Sequence, residues 1–256
     1  MAWLRRESLA ILQATFPPGS RLLEIGCGTG DEALALSRLS YRVVATDLSP
    51  AMIACASTKA QYEEKPVTWR VLPAGELAAL LDDYGPGAFD GAYSSFGALN
   101  CEPRLNRVAS ALAGLLRPEA FLVCSVMNRW CAWEIAWGLL HLRPRHAFRR
   151  LGRGWIEAGL ASPDGRQVVP VRYYTPRAFA RAFKPYFRFR DVRGLPVLLP
   201  PPFLDSFCGR HPALMAHLEA ADRRWRGRWP ISCLGDHFLM VLERSGSGFA
   251  QTGEGE

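Results

Sequence analysis

Short apolar runs alternate with helical patterns along the first half of the chain. Arg21–Ile25 is a compact apolar run ending in glycines, and Glu32–Leu39 follows with Leu34, Leu36 and Leu39 apolar, so a strand and then a helix are expected. Tyr41–Thr46 predicts a second strand. Ser49 and Pro50 suit a helix N-cap and first helical position, opening a helix that runs to about Tyr62. Val67–Leu72, Phe89–Tyr93 and Phe121–Met127 predict the third, fourth and fifth strands, the fourth preceded by the turn Gly85-Pro86-Gly87. A helix over Arg104–Leu116 is expected to stop at Pro118. Repeated strand–helix alternation implies parallel strands joined by crossover helices.

The alternation then breaks. Residues 129–170 hold a tryptophan-rich helix, an arginine cluster and the turn Ser162-Pro163-Asp164-Gly165. Trp130, Trp133, Trp137 and Leu140 are spaced to share a helix face. Tyr173-Tyr174-Thr175-Pro176 leads into a helix over about 176–184, Phe187–Val192 predicts a sixth strand, and His237–Glu243 a seventh. Pro200-Pro201-Pro202 is a stiff loop, and the Gly- and Ser-rich tail 245–256 is expected to be disordered. These elements predict one domain over 1–244 with an insertion at about 129–170. Its class is α/β: a Rossmann-like seven-stranded sheet, mostly parallel, with helices on both faces and a helical insertion after strand five.

Composition narrows the class without changing it. Hydrophobic residues at 49% and charged residues at 21% are ordinary for a globular chain with a substantial core. No apolar stretch is long enough for a membrane span, and Met1–Arg6 has no secretory-signal pattern. Seven cysteines, an odd number with no Cys-x-x-Cys pair, disfavour a disulfide framework and a metal centre and fit reduced thiols in the cytoplasm. The net charge of +7 is uneven. Residues 1–128 carry 11 basic and 13 acidic side chains, residues 129–256 carry 20 and 11. The second half could meet an acidic partner, or could merely reflect a preference for arginine over lysine.

The most informative segment is Leu22-Leu23-Glu24-Ile25-Gly26-Cys27-Gly28-Thr29-Gly30. A buried strand enters a turn with glycine at every second position, which lets backbone turn tightly and approach a ligand. It is not the dinucleotide fingerprint, because the third glycine comes one residue early and Asp31 stands where that motif needs glycine. Nor is it a P-loop, since no Gly-Lys-Ser/Thr follows.

Glu-x-Gly-x-Gly-x-Gly resembles the first motif of class I methyltransferases. Val43-Val44-Ala45-Thr46-Asp47-Leu48-Ser49-Pro50 is similar to that family's second-strand motif, with its acid 21 residues after Gly26. Phe89-Asp90-Gly91-Ala92-Tyr93-Ser94-Ser95 is similar to the fourth-strand motif, and Leu115-Leu116-Arg117-Pro118 precedes the fifth strand as in the family. The resemblance covers about half the chain. It implies S-adenosylmethionine as cofactor and a sheet order 3-2-1-4-5-7-6 with strand seven antiparallel. It also implies a cofactor site built from Glu24, Gly26, Cys27, Gly28, Gly30, Asp47 and Leu48, with Ala74, Gly75 and Glu76 beside the adenine and Ser94 and Ser95 near the methionine portion. Many relatives carry an Asp in the 74–76 stretch; this chain has none. Asp47 can accept from both ribose hydroxyls, or can cap the turn before Ser49-Pro50. Glu24 offers negative charge suited to an ammonium.

Acceptor contacts are expected where ligands bind in open α/β sheets, beyond the carboxyl ends of the strands. Phe96, Asn100, Asn128, Trp130, Trp133 and Trp137 border that region, the tryptophans either as a lid on a small, partly apolar acceptor or as core. A peripheral membrane contact through 130–153 is a further reading, because tryptophans are followed there by Arg143, Arg145, Arg149, Arg150 and Arg153. His141, His146, His237 and Tyr173 are the weak candidates for a general base. The absence of an Asn/Asp-Pro-Pro-Tyr motif and of a Pro-Cys nucleophile disfavours nucleic acid as acceptor. Two alternatives stay open: methylation of RNA or protein through the basic second half, and a non-catalytic protein that binds the cofactor. Which acceptor is used, and whether O, N, C or S is methylated, is not written in these residues.

Overall fold

The computed structural model describes residues 2–61, 63, 66–152, 154–162, 165–199 and 210–246. The expected Pro200-Pro201-Pro202 loop, the centre of the 162–165 turn and the tail from 247 lie outside them. In chain order the strands are β1 (Arg21–Ile25), β2 (Arg42–Asp47), β3 (Thr68–Val71), β4 (Phe89–Ser94), β5 (Leu116–Met127), β6 (Ile156–Ser162), β7 (Gly165–Val171), β8 (Phe187–Leu195) and β9 (His237–Arg244). Seven of them form one sheet in the order β3-β2-β1-β4-β5-β9-β8, and β6 and β7 pair as a separate hairpin. The first five are parallel, while β9 runs antiparallel between β5 and β8. This is the expected 3-2-1-4-5-7-6 order, with the hairpin taking two numbers.

Both faces of the sheet are covered, so its central strands are apolar on both sides. Leu23 and Ile25 of β1 pack with Val108 and Leu112 of α5 (Leu105–Leu115) and with Phe179 and Phe183 of α8 (Pro176–Phe183). Leu22, one pleat away, packs on the opposite face with Leu12 and Phe16 at the end of α1 (Ala2–Thr15) and with Leu34 and Leu36 of α2 (Asp31–Arg38). Strand-to-helix boundaries follow local chemistry: Ser49 accepts from the Met52 amide and Pro50 opens α3 (Pro50–Ala60). Thr175 caps α8 in the same way through the Ala178 amide.

Five features were not announced by the apolar pattern. Helix α1 buries Leu4, Glu7, Ser8, Ile11 and Leu12, a helical spacing in which two of the five positions are polar. Residues 74–79 form a 3-10 segment leading into the short α4 (Leu80–Tyr84). Strand β5 begins at Leu116, before Pro118, because the pairing with β4 slips between Phe89 and Gly91 and leaves room for the proline in an irregular stretch. The insertion starts helical, as α6 (Ala132–Leu140) and α7 (Pro144–Ala147), and then continues into the β6–β7 hairpin. Finally, α9 (Pro212–Trp225) lies between β8 and β9, where no crossover helix was expected. It is fastened by polar contacts. Asp222 accepts from the Val197 and Leu198 amides at 2.8 and 2.7 Å, and Arg223 and Arg226 pair with Glu7 of α1. Among the described residues no helix is long and apolar enough to cross a membrane.

The insertion is pinned to the sheet by one buried guanidinium. Arg150, 11% exposed at its side chain, pairs with Glu134 of α6 at 2.7 Å and with Asp236 ahead of β9 at 2.6 Å, and donates to the Asn128 and Asp236 carbonyls. Cys131, Glu134 and Asp236 bring metal-type ligand atoms within 4.8 Å of one another, but the guanidinium donates to both carboxylates. The cluster is therefore an ion-pair hub. Replacing Arg150 by Met removes the one cation shared by both carboxylates and leaves Glu134 with Arg149 alone and Asp236 with His237 alone. Urea unfolding should show a loss of about 3–5 kcal/mol, and a loss under about 1 kcal/mol would show that the hub does not hold the insertion.

Candidate active site

The sheet's connections run outward in opposite directions from β1, to β2 on one side and, through β3, to β4 on the other. The loops at their carboxyl ends therefore part and leave a crevice, the usual ligand position in such sheets. A cavity of about 540 Å³ lies there, reached by the ends of β1, β2, β4 and β5.

The glycine loop forms its floor. The Gly26 and Cys27 amides donate to the Thr46 carbonyl at 2.8 and 2.9 Å, so the loop is stitched to β2. Gly26 has φ +71°, and a Cβ there would stand 2.2 Å from that of Ala98, so a side chain is excluded on steric grounds. Gly28 has φ +53° and no protein atom within 4 Å of where its Cβ would be; that space belongs to the cavity. Asp47, at the end of β2, accepts from the Gly28 amide at 2.8 Å with one oxygen and from the Ser49 amide at 2.9 Å with the other. It is both a turn cap and a wall of the cavity. A carboxylate accepts about four hydrogen bonds, so two such bonds leave it able to take ligand hydroxyls.

Glu24 is the unusual group. It is 1% exposed, lines the cavity, and its Oε2 is buried with no hydrogen-bond partner. The Tyr93 hydroxyl is nearby but also short of hydrogen-bonding geometry. Burial first, and the charge of Glu32 second, raise the Glu24 carboxyl well above the ordinary range. A buried carboxylate oxygen left unpaired is costly, and a cation in the cavity would relieve it.

The mouth carries a chain of ion pairs. Arg5 of α1 bonds Glu32 at 2.6 Å and Asp31 at 3.1 Å, and Lys59 holds Asp31 from the other side at 2.7 Å. Burial works against it, yet Lys59 and Arg5 keep Asp31 below the usual carboxylate range. The Arg5 guanidinium lies 5.9 Å from the centre of the Phe96 ring. Phe96 itself has φ +53°, a conformation that strains a bulky residue and is typical of functional loops. Met127, Val169 and Pro170 add apolar surface to the cavity wall.

Of the expected cofactor residues, Glu24, Gly26, Cys27, Gly28, Asp47, Leu48, Ala74 and Ser95 line this one cavity. The other four do not line it. Gly30 packs against Trp69, Gly75 against the Arg104 guanidinium, Glu76 faces solvent, and the Ser94 hydroxyl donates to the Ile25 carbonyl at 2.9 Å.

Of the expected acceptor residues, Phe96 lines the cavity and the others stand outside its wall. The amide of Asn100 donates to the Met127 and Arg172 carbonyls, and that of Asn128 to Trp130, Cys233 and Gly235 carbonyls, so both tie backbone together. Trp133 donates to the Leu198 carbonyl at 3.1 Å, Trp137 stacks on His141 at 4.0 Å, and Trp130 precedes α6 half-exposed. The insertion meets the cavity through Val169 and Pro170 of β7 instead. Glu134, on the same helix as Trp133 and Trp137, is bound to Arg149 and Arg150, which ties α6 to the ion-pair hub.

The weak general-base candidates are also elsewhere. His141 bonds the Trp137 carbonyl, His237 bonds Asp236 at 2.9 Å, His146 is exposed, and Tyr173 stacks under Arg150 at 4.9 Å. Among the described residues the proton acceptors in the cavity wall are carboxylates and thiols. Sequence reasoning missed Arg5, Asp31, Glu32, Cys101 and Glu102 as cavity residues. Asp31 and Glu32 directly follow the glycine loop and could have been found there. Arg5 reaches the site only because α1 packs across the sheet.

Comparison with known proteins agrees with this geometry. Residues 23–124 match the family model of a methyltransferase domain. A ubiquinone biosynthesis O-methyltransferase of Xanthomonas campestris is 35% identical over 112 residues, 44% of this chain and 45% of the relative. The chain thus spans less than half the length of that relative. Among solved structures, an S-adenosylmethionine-dependent methyltransferase from Methanosarcina mazei covers 92% of this chain and is itself covered over 97%, with a TM-score of 0.61 at 17% identity. The 1,6-didemethyltoxoflavin-N1-methyltransferase of Burkholderia thailandensis covers 94% of this chain and is covered over 78%, with a TM-score of 0.54 at 19% identity.

The raised Glu24 carboxyl makes a checkable statement about stability. Its folded-state pKa lies above its unfolded one, so the folded chain holds a proton that the unfolded chain has lost. Stability therefore falls as pH rises above the ordinary glutamate range, until the raised pKa is passed. Glu24→Gln should give a ligand-free protein that is more stable than the parent at neutral and alkaline pH, with a flatter pH dependence. Melting curves across pH test this; equal slopes in parent and variant would contradict it.

Proposed function

This chain belongs to the class I S-adenosylmethionine-dependent methyltransferases through its residues 23–124, and on that premise we propose that it transfers a methyl group to a small, partly apolar acceptor. One observation carries the reading. One cavity is lined both by the glycine loop, with an unpartnered buried carboxylate beside it, and by apolar side chains. When bound, S-adenosylmethionine supplies a methyl group on a positive sulfur, open to in-line attack. The chain's own work is alignment and exclusion of water.

The residues fit that cofactor. Glu24 offers its unpaired oxygen to an ammonium, Gly28 leaves its side-chain space to the ligand, and Asp47 has accepting capacity left for ribose hydroxyls. Leu48 and Ala74 offer apolar faces for an adenine. Phe96, Met127, Val169 and Pro170 would hold the acceptor, with the insertion contributing the last two. The names of the Xanthomonas and Burkholderia proteins support a small-molecule acceptor, and both oxygen and nitrogen chemistry on this fold. Cys27, Cys55, Cys101, Cys124, Cys131 and Cys233 are free thiols, which supports a reducing compartment such as the cytoplasm.

Incubation with methyl-labelled cofactor and a cell extract should place the label in a low-molecular-weight product. Label in RNA or protein, or no transfer despite cofactor binding, would overturn the reading. Asp47→Ala should weaken cofactor binding by about 1.5–3 kcal/mol in calorimetry, the range for hydrogen bonds to a charged group. Unchanged affinity in the folded variant would remove Asp47 from the site.

A further inference from the structure

Residues 135–156 contain no aspartate or glutamate, yet they hold five arginines and two histidines. Arg153 lies outside the described residues. The run folds back on itself as the α6–α7 pair, closed where Gly138 meets Ala147 so tightly that a Cβ on the glycine would stand 2.7 Å from that of the alanine. Beyond that closure every residue from 139 to 146 is exposed. Leu140 is 77% exposed and Leu142 89%, with Leu139 and Phe148 also in solvent. Leu142 has φ +55°, a conformation unfavourable for leucine, and points its side chain into water all the same. Arg149 and Arg150 turn inward onto Glu134. Arg143 and Arg145 stay exposed and form no ion pair among the described residues.

We propose that this tip, residues 139–148, docks on an anionic lipid bilayer. Exposed leucines at the end of a projection are costly in water and gain by entering the acyl boundary. Unpaired arginines beside them are attracted by the negative potential of such a surface. A polyanion such as RNA would satisfy the arginines and leave the leucines facing phosphate; a bilayer satisfies both. The surface is narrower than the 130–153 segment considered from sequence, because Trp133 is committed to Leu198 and the inner arginines to Glu134. The α6 helix leaves from the carboxyl end of β5, the edge on which the cavity lies. This inference does not depend on the proposed methyl transfer.

Co-sedimentation of the full chain with phosphatidylcholine vesicles, with and without phosphatidylglycerol, tests it. Binding should require phosphatidylglycerol and weaken with salt. Leu140→Ser with Leu142→Ser, and separately Arg143→Gln with Arg145→Gln, should each lower the partition coefficient by about tenfold or more, at unchanged melting temperature. Absent binding, equal binding to both vesicle types, or binding that survives the arginine pair of substitutions would overturn the proposal. So would tight binding of an RNA homopolymer that the leucine substitutions leave intact. If the leucine variant melted early, the arginine variant would still decide the matter.

Discussion

Parallel pairing of β1 with β2 on one side and β4 on the other governs the rest of this structure. Crossover helices from a parallel strand must return on one side or the other, and here they diverge at β1. No connection then covers the carboxyl end of that strand, and the Gly26–Gly30 loop is left at the bottom of a crevice. The loop could not keep its shape alone. Its amides are taken up by Thr46 and Asp47 of the neighbouring strand, so β2 holds what β1 exposes.

The crevice concentrates negative charge in a protein with a net charge of +7. Glu24, Asp31, Glu32 and Asp47 all line it, and of these only Asp31 and Glu32 have cationic partners. Glu24 sits where burial and like charge both oppose its ionisation. The fold tolerates this strain because it lies beside two packed layers with apolar strands between them. A cationic ligand would reverse the sign of the contribution, and that coupling of stability to occupancy is what a cofactor site needs.

Part of the basic second half is used in ion pairs that fasten one element to another. Arg149 and Arg150 clamp the insertion, Arg190 and Arg193 pair on β8 and with β9, and Arg223 and Arg226 fasten α9 to α1. The last pair matters for the site, because the same α1 carries Arg5 to the cavity mouth. What remains outward without an ion pair among the described residues includes Arg143 and Arg145 at the tip between α6 and α7, besides Arg177, Arg181, Lys184 and Arg188 elsewhere on the surface.

The sequence by itself determined the strands, and its resemblance to class I methyltransferases implied their order and the cofactor residues. Apolar runs of strand length, a helix cap at Ser49 and glycines at fixed spacing act over a few residues, and local rules suffice to read them. Glu24, the glycines and Asp47 were legible because one strand end and the next meet at a spacing set by a single crossover. The tertiary structure alone decided the rest of the cavity wall. Arg5, Met127 and the Val169–Pro170 pair come from three distant segments, and no local pattern says that they meet. The tryptophans of α6 looked like a lid because helical spacing reports which side chains share a face, not which way that face is turned. Its direction was settled by the pull of Arg150 on Glu134 and Asp236, residues 86 apart in the case of Arg150 and Asp236. Long-range ion pairs and polar helices such as α9 leave almost no apolar periodicity behind, and for that physical reason they could be seen only once the chain was folded.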